Sequence, residues 1–188
     1  MNLQKMFEMQ KALDDRIIEE KGLQGQDLLP NLILALQVEL AECANEWRGF
    51  KHWSNDREPR TKHPLEVSPN GAFRKGGNPL LEEYVDCLHF ILSIGNRLGF
   101  NNDATIQRII RRAEERELEI NIGIEKAFSH LMSLVFGFYF SAGEDLTYVR
   151  SLERFLNLGK LLGFTPEQIE AAYMEKNAVN HQRQEEGY

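Results

Sequence analysis

LILALQVELAECANEW (residues 32–47) and PLLEEYVDCLHFILSIG (residues 79–95) decide the fold. Both are apolar on more than one face, as a helix in the middle of a bundle must be. Both nevertheless carry two acids at i and i+3: Glu39 and Glu42 in the first, Glu83 and Asp86 in the second. Residues at that spacing share a helical face, and like charges there destabilise a helix unless a cation lies between them. Four such carboxylates facing one another make an all-oxygen site suited to Mg²⁺, with Mn²⁺ as the alternative. A solvated face is the usual fate of a glutamate, but these acids sit among residues that should be buried.

Working outward, residues 3 to about 20 space Leu3, Met6, Phe7, Leu13, Ile17 and Ile18 at the helical period, and Gly22 and Gly25 end the run. Gln10 and Asp14 stand one turn apart in it. Asp27 is placed to cap the first acid-bearing helix, with Pro30 in its first turn, and Gly49 to end it. Residues 50–78 form a long basic loop with no helical period and carry Lys51, Arg57, Arg60, Lys62, Arg74 and Lys75. A loop of that length joining two acidic helices suits a polyanionic substrate. Asn78 and Pro79 read as cap and first residue of the second acid-bearing helix. Asp103 caps the next helix, a break is expected around Asn121 to Gly123, and AFSHLMSLVFGFYF (127–140) is core or subunit interface. Gly143 ends that run, and Asp145 caps a helix ending near Gly163. Thr165-Pro166-Glu167-Gln168 is a capping box for the last helix. Its end brings Lys176, Asn180 and Arg183 to one face, where two cations and an amide suit phosphates. No period-2 stretch of convincing length is present, so the expectation is an all-α helical bundle in two lobes around a metal site, one domain over residues 1–188.

The chain has 188 residues, enough for one good core, and a formal charge of −7 that leaves no basic face for a nucleic-acid polymer. No run is apolar enough to span a membrane and no basic-then-apolar leader opens the chain, so a cytoplasmic protein is expected. Cys43 and Cys87 read as buried free thiols.

Taken together, ExxE on one helix, a long loop, ExxD on another and the C-terminal KNAVNHQRQEEGY (176–188) resemble the dimeric all-α dUTPases, within the wider all-α NTP pyrophosphohydrolases. Phe50-Lys51-His52-Trp53, Gln10 and His89-Phe90 fit the same resemblance, which spans nearly the whole chain. It implies a homodimer that hydrolyses dUTP to dUMP and pyrophosphate with Mg²⁺-activated water, and leaves dUDP open as a second substrate. It implies Glu39, Glu42, Glu83 and Asp86 as metal ligands, with Glu39 or Glu42 as the base. Lys176 and Arg183 become phosphate contacts, Lys51 a further substrate contact, and Gln10, Trp53, Phe90, Asn180 and Tyr188 base and sugar contacts. Residues 176–188 become a segment that closes over substrate. Two departures stand out: Asp14 where relatives often have Asn, and an end at Tyr188 where relatives commonly continue with Lys and Gly.

The rival within the family is a dCTP-preferring or broad-specificity pyrophosphohydrolase. A ferritin-type di-metal bundle needs an acid-x-x-His motif on two helices, and only Asp86-Cys87-Leu88-His89 supplies one. A non-catalytic helical protein binding a partner through 127–140 leaves the acid pairs unexplained.

Overall fold

A computed structural model describes residues 1–68, 71–115, 122–139 and 145–187, the side chains of 68, 71–74 and 145 aside. The helices are α1 (Leu3–Glu20), α2 (Leu29–Trp47), α3 (Pro79–Leu98), α4 (Asp103–Glu115), α5 (Ile124–Gly137), α6 (Asp145–Leu161) and α7 (Pro166–Glu185). The expected all-α fold is the observed one. The break near Asn121 lies partly, and Gly143 wholly, outside the described residues.

α3 is the centre. It buries Leu80, Tyr84, Leu88, Ile91 and Leu92 among others, on nearly every side. α2 packs along it most extensively, α1 and α7 cover a second side, and α6 joins α4 and α5 to it. The two groups of helices share one continuous hydrophobic core. Three tyrosines are fully buried there, and each donates its hydroxyl to a carbonyl of a neighbouring helix: Tyr84 to Phe155, Tyr148 to Ile91 and Tyr173 to Met6, all at 3.0 Å. Such bonds remove the cost of burying a phenol oxygen. Gly95 and Gly159 make room for two of them, since a Cβ at either position would overlap the Tyr148 or Tyr84 hydroxyl.

The caps follow the sequence closely. Asn78 accepts from Leu81 N and Thr165 with Gln168 forms the capping box, while α1 is capped by Asn2, which accepts from Lys5 N and is not among the expected caps. Three expectations need correcting, the first of them at three helix starts: the cap position of α2 is Leu28 rather than Asp27, which accepts from Leu29 N at 3.1 Å, and Asp145 is the first residue of α6 rather than its cap. Asp103 is the first residue of α4, and Asn102 does the capping by accepting from Thr105 N at 3.1 Å. At the end of α2 the left-handed residue is Arg48, at φ 64°, rather than Gly49. Arg48 is held there by the carbonyl and carboxylate of Asp56, its Nη2 donating at 2.7 and 2.8 Å, while the space beside Gly49 is filled by the Trp47 ring. Third, the 50–78 loop contains an antiparallel hairpin, β1 (Leu65–Ser68) and β2 (Gly71–Arg74), with Leu65 opposite Arg74. Strands of four residues carry almost no period, and Leu65 and Val67 are both exposed, so no buried face marks the alternation.

The first half of that loop is tied to the acid-bearing helices. Arg60 N donates to Glu46 O, Leu80 N donates to Arg60 O, and the Arg60 guanidinium pairs with Glu46 at 3.0 Å. His63 lies 3.0 Å from Glu82 in the first turn of α3. Two of the nearby cations, Arg48 and Arg60, are therefore already engaged with acids.

Candidate active site

On α2 the buried stripe runs Ile33, Leu36, Leu40, Cys43, Trp47, so Glu39 stands at its margin, half-buried. Glu83 and Asp86 stand at the margin of α3 in the same way. The pairing of the two helices brings carboxylate oxygens of Glu39, Glu83 and Asp86 within 4.8 Å of one another. Glu42 is exposed and lies outside that trio, although its charge still acts on Glu39 and Glu83.

Crowding three acids in a partly desolvated place favours their neutral forms. Burial pushes Glu39 up to about 7, helped by the charges of Asp86 and Glu42 and opposed by Lys176. Glu83 is likewise pushed up to about 7, by burial first and then by Asp86, Glu39 and Glu42. Asp86 is raised by burial against the pull of Lys176 and Arg183. Lys176 reaches from α7 to Asp86, Nζ to Oδ2 at 2.5 Å, with both side chains mostly shielded.

A cleft of about 700 Å³ opens beside the trio, lined by Glu39, Asp86 and Lys176 together with Gln10, Asp14, Phe90 and Ser93. Ser93 is two turns beyond Asp86 on α3, so the acids and the Ser93 end of the cleft lie about 10 Å apart along the helix axis at 1.5 Å per residue. That end is a closed hydrogen-bond network. Gln10 Nε2 donates to Asp14 Oδ1 at 2.8 Å and to Ser93 Oγ at 2.9 Å, and Ser93 Oγ donates to Asp14 Oδ1 at 2.9 Å. With its amide hydrogens spent, Gln10 turns Oε1 to His89 Nδ1 at 2.6 Å and to the Tyr173 hydroxyl at 3.1 Å. An oxygen only accepts, so His89 carries its hydrogen on Nδ1. Burial, with the charge of Lys176 behind it, holds His89 down to about 3, so the ring is neutral at pH 7. It stacks on Tyr173 with centroids 4.4 Å apart. Asp14 is pushed up to about 6, mainly by burial, with the bonds from Gln10 and Ser93 pulling the other way.

The residues expected from the sequence divide accordingly. Gln10, Phe90, Lys176, Asn180 and Arg183 line the cleft with Glu39 and Asp86. Lys51 and Trp53 are not among its lining: Lys51 sits over the Phe50 ring, Nζ 5.6 Å from the centroid, and Trp53 is 67% exposed, edge-on to Phe50 and His52. Tyr188 lies outside the described residues. Ser93 and Tyr173 escaped the sequence reading. The signal for Ser93 was there, a hydroxyl seven residues after Asp86 and so on the same face of an apolar helix.

Hard carboxylate oxygens in this number fit a divalent cation such as Mg²⁺, which prefers oxygen ligands. Lys176 is paired with the trio through Asp86, and the charge of Arg183 also acts on Asp86. A comparison with curated protein sequences found no match. Residues 2–67 and 71–188 match the family model described as dUTPase. With an all-α architecture and a match that covers almost its whole length, the chain belongs to the dUTPase family of the all-α type and is an enzyme, a nucleoside triphosphate pyrophosphohydrolase of the dUTP diphosphatase class.

Proposed function

We propose that this enzyme is a Mg²⁺-dependent dUTP diphosphatase, cleaving dUTP to dUMP and pyrophosphate in the cleft between α1, α2, α3 and α7. The observation that carries the reading is the cleft itself, with an acid trio at one end and an oriented amide network about 10 Å along α3. That is the length over which a nucleotide presents a base at one end and phosphates at the other.

Glu39, Glu83 and Asp86 would hold the cation, with Glu42 joining from the next turn of α2. A divalent ion bound there offsets phosphate charge and lowers the pKa of water. Glu39 or Glu42 orients the attacking water and accepts its proton. Lys176 and Arg183 bind phosphate oxygens from α7. Gln10 and Asn180 read the uracil edge, and Phe90 supplies a wall against a larger base. Rejection by unpaired polar groups is stronger than rejection by shape alone. Trp53 and Lys51 are placed to act only if their loop moves toward the cleft, and residues 176–188 would close over the substrate.

A homodimer fits the apolar surface formed by Leu34 and Val38 on α2 with Phe136 and Tyr139 at the end of α5, all exposed. Cytoplasmic residence fits two buried free thiols, Cys43 and Cys87. No helix among the described residues is long and apolar enough to cross a membrane.

The test is a panel of deoxynucleoside triphosphates with Mg²⁺, with products separated by chromatography. Preference for dUTP with release of dUMP and pyrophosphate is expected. Comparable kcat/KM for dUTP and dCTP would move the enzyme to a dCTP-preferring or broad pyrophosphohydrolase.

A further inference from the structure

We propose that Lys176 is an internal stand-in cation: it offsets part of the acid trio's charge through Asp86 when no divalent ion is bound, fastens the end of α7 through that ion pair, and is released when a divalent ion takes the carboxylates. The inference rests on the trio being the metal centre. Its geometric basis is direct. Lys176 Nζ is 2.5 Å from Asp86 Oδ2, and Asp86 shares its 4.8 Å cluster with Glu39 and Glu83. An ammonium and a divalent ion cannot both occupy the approach to one carboxylate oxygen without strong repulsion in a shielded site. Their binding is therefore mutually exclusive at Asp86 Oδ2.

The attachment of α7 makes the exchange consequential. Its buried residues are Ile169, Tyr173 and Asn177, and none from Ala178 to Gly187 is buried. Beyond Asn177 the helix is tied down by polar contacts, Arg16 to the His181 carbonyl at 3.3 Å and to Glu185 at 3.6 Å. Exposed pairs of that kind hold weakly. The shielded Lys176–Asp86 pair is the stronger fastening, and it stands at the point where burial stops. A released Lys176 is free to turn toward phosphates in the same cleft, which it already lines.

The experiment is a Mn²⁺ titration of the full-length protein without nucleotide, followed by electron paramagnetic resonance, on wild type, Lys176→Met and Lys176→Arg. Removing the competitor should tighten Mn²⁺ binding about tenfold in Lys176→Met, while Lys176→Arg keeps a cation and stays near wild type. Binding of a nonhydrolysable dUTP analogue should move the opposite way, weaker in Lys176→Met. A lysine with a merely structural role would weaken both. Hydrogen exchange adds the conformational reading: Mn²⁺ alone should speed exchange over residues 176–185 in wild type and leave Lys176→Met, already fast, unchanged. Equal or weaker Mn²⁺ binding in Lys176→Met, no binding to either protein, or unchanged exchange in wild type overturns the proposal. Wild type that titrates as expected yet leaves dUTP intact would instead remove the proposed function and leave the competition standing.

Discussion

Two ends of one cleft bury carboxylates in opposite ways. At the α2–α3 end, Glu39, Glu83 and Asp86 meet within 4.8 Å, with Lys176 paired to Asp86. At the α1–α3 end, Asp14 stands with no cation in hydrogen-bonding contact and takes two neutral donors, from Gln10 and Ser93. The first arrangement crowds like-charged acids together and raises the pKa of all three, so it favours binding a cation. The second is satisfied by dipoles, so it fixes orientations: Asp14 points the Gln10 amide, and Gln10 fixes the hydrogen on His89. Crowded charge suits the proposed reacting end, and donors and acceptors held by fixed dipoles suit the proposed recognising end.

The strongest way to break this comparison is to neutralise one acid at the charged end. Asp86→Asn or Glu83→Gln keeps shape and removes charge. Each should lower kcat by about a thousandfold, the scale of losing an electrostatic group that acts at the reacting centre. Each should leave the fold intact by circular dichroism, and Glu83→Gln should raise the metal-free melting temperature, because a neighbour that repels Asp86 and Glu39 is gone. Full activity in Asp86→Asn would remove the trio from the mechanism.

The contrast also explains what the sequence could carry. Crowded charge is written locally: two acids at i and i+3 inside an apolar run are conspicuous, and both helices were legible from them. So were the caps at Asn78 and Thr165, because a cap is a contact between residues three apart. The network at the other end is assembled across long chain separations, from α1, α3 and α7. Gln10 sits within α1's own buried stripe of Leu3, Met6, Phe7 and Leu13, and that misplaced polarity was the local trace of it. Ser93 and Tyr173 left fainter traces, each standing among apolar residues of its helix. The exclusion of Glu42 from the trio could not be read at all, since i and i+3 define a face but not which of two acids turns to solvent. The hairpin at 65–74 was hidden because an exposed strand has no reason to alternate.

A smaller effect is expected where the two ends meet the substrate together. Asn180 lines the cleft from α7, one turn beyond Lys176. If it reads the base, Asn180→Ala should lower kcat/KM for dUTP by about 10- to 100-fold, the cost of leaving a base edge without its partner. The loss for dCTP should be smaller, and Mn²⁺ affinity measured without nucleotide should not change. Equal losses for both nucleotides would place Asn180 with the phosphates and Lys176 rather than with the base.

The smallest effect tests the recognising end through stability alone. Asp14 has an ordinary value of 3.8 and is pushed up to about 6 in the fold. Between those two values the folded protein holds a proton that the unfolded chain has released. Stability therefore falls as pH rises through that window, and above about 6 the whole cost of the buried charge is present. The displacement sets a ceiling of about 3 kcal/mol, and screening by water in the cleft reduces it to about 1–2 kcal/mol. Asp14→Asn keeps an Oδ1 that still accepts from Gln10 and Ser93 while removing the charge. It should therefore be more stable than wild type by about 1–2 kcal/mol at pH 7 and equal to it near pH 4, in urea titrations at each pH. Taking the difference between the two proteins cancels what they share, including the buried neutral His89, whose own effect favours folding at higher pH. A stability difference that does not vary between pH 4 and 7 would mean that Asp14 is held by more than two neutral donors, and the contrast between the two ends of the cleft would lose its basis.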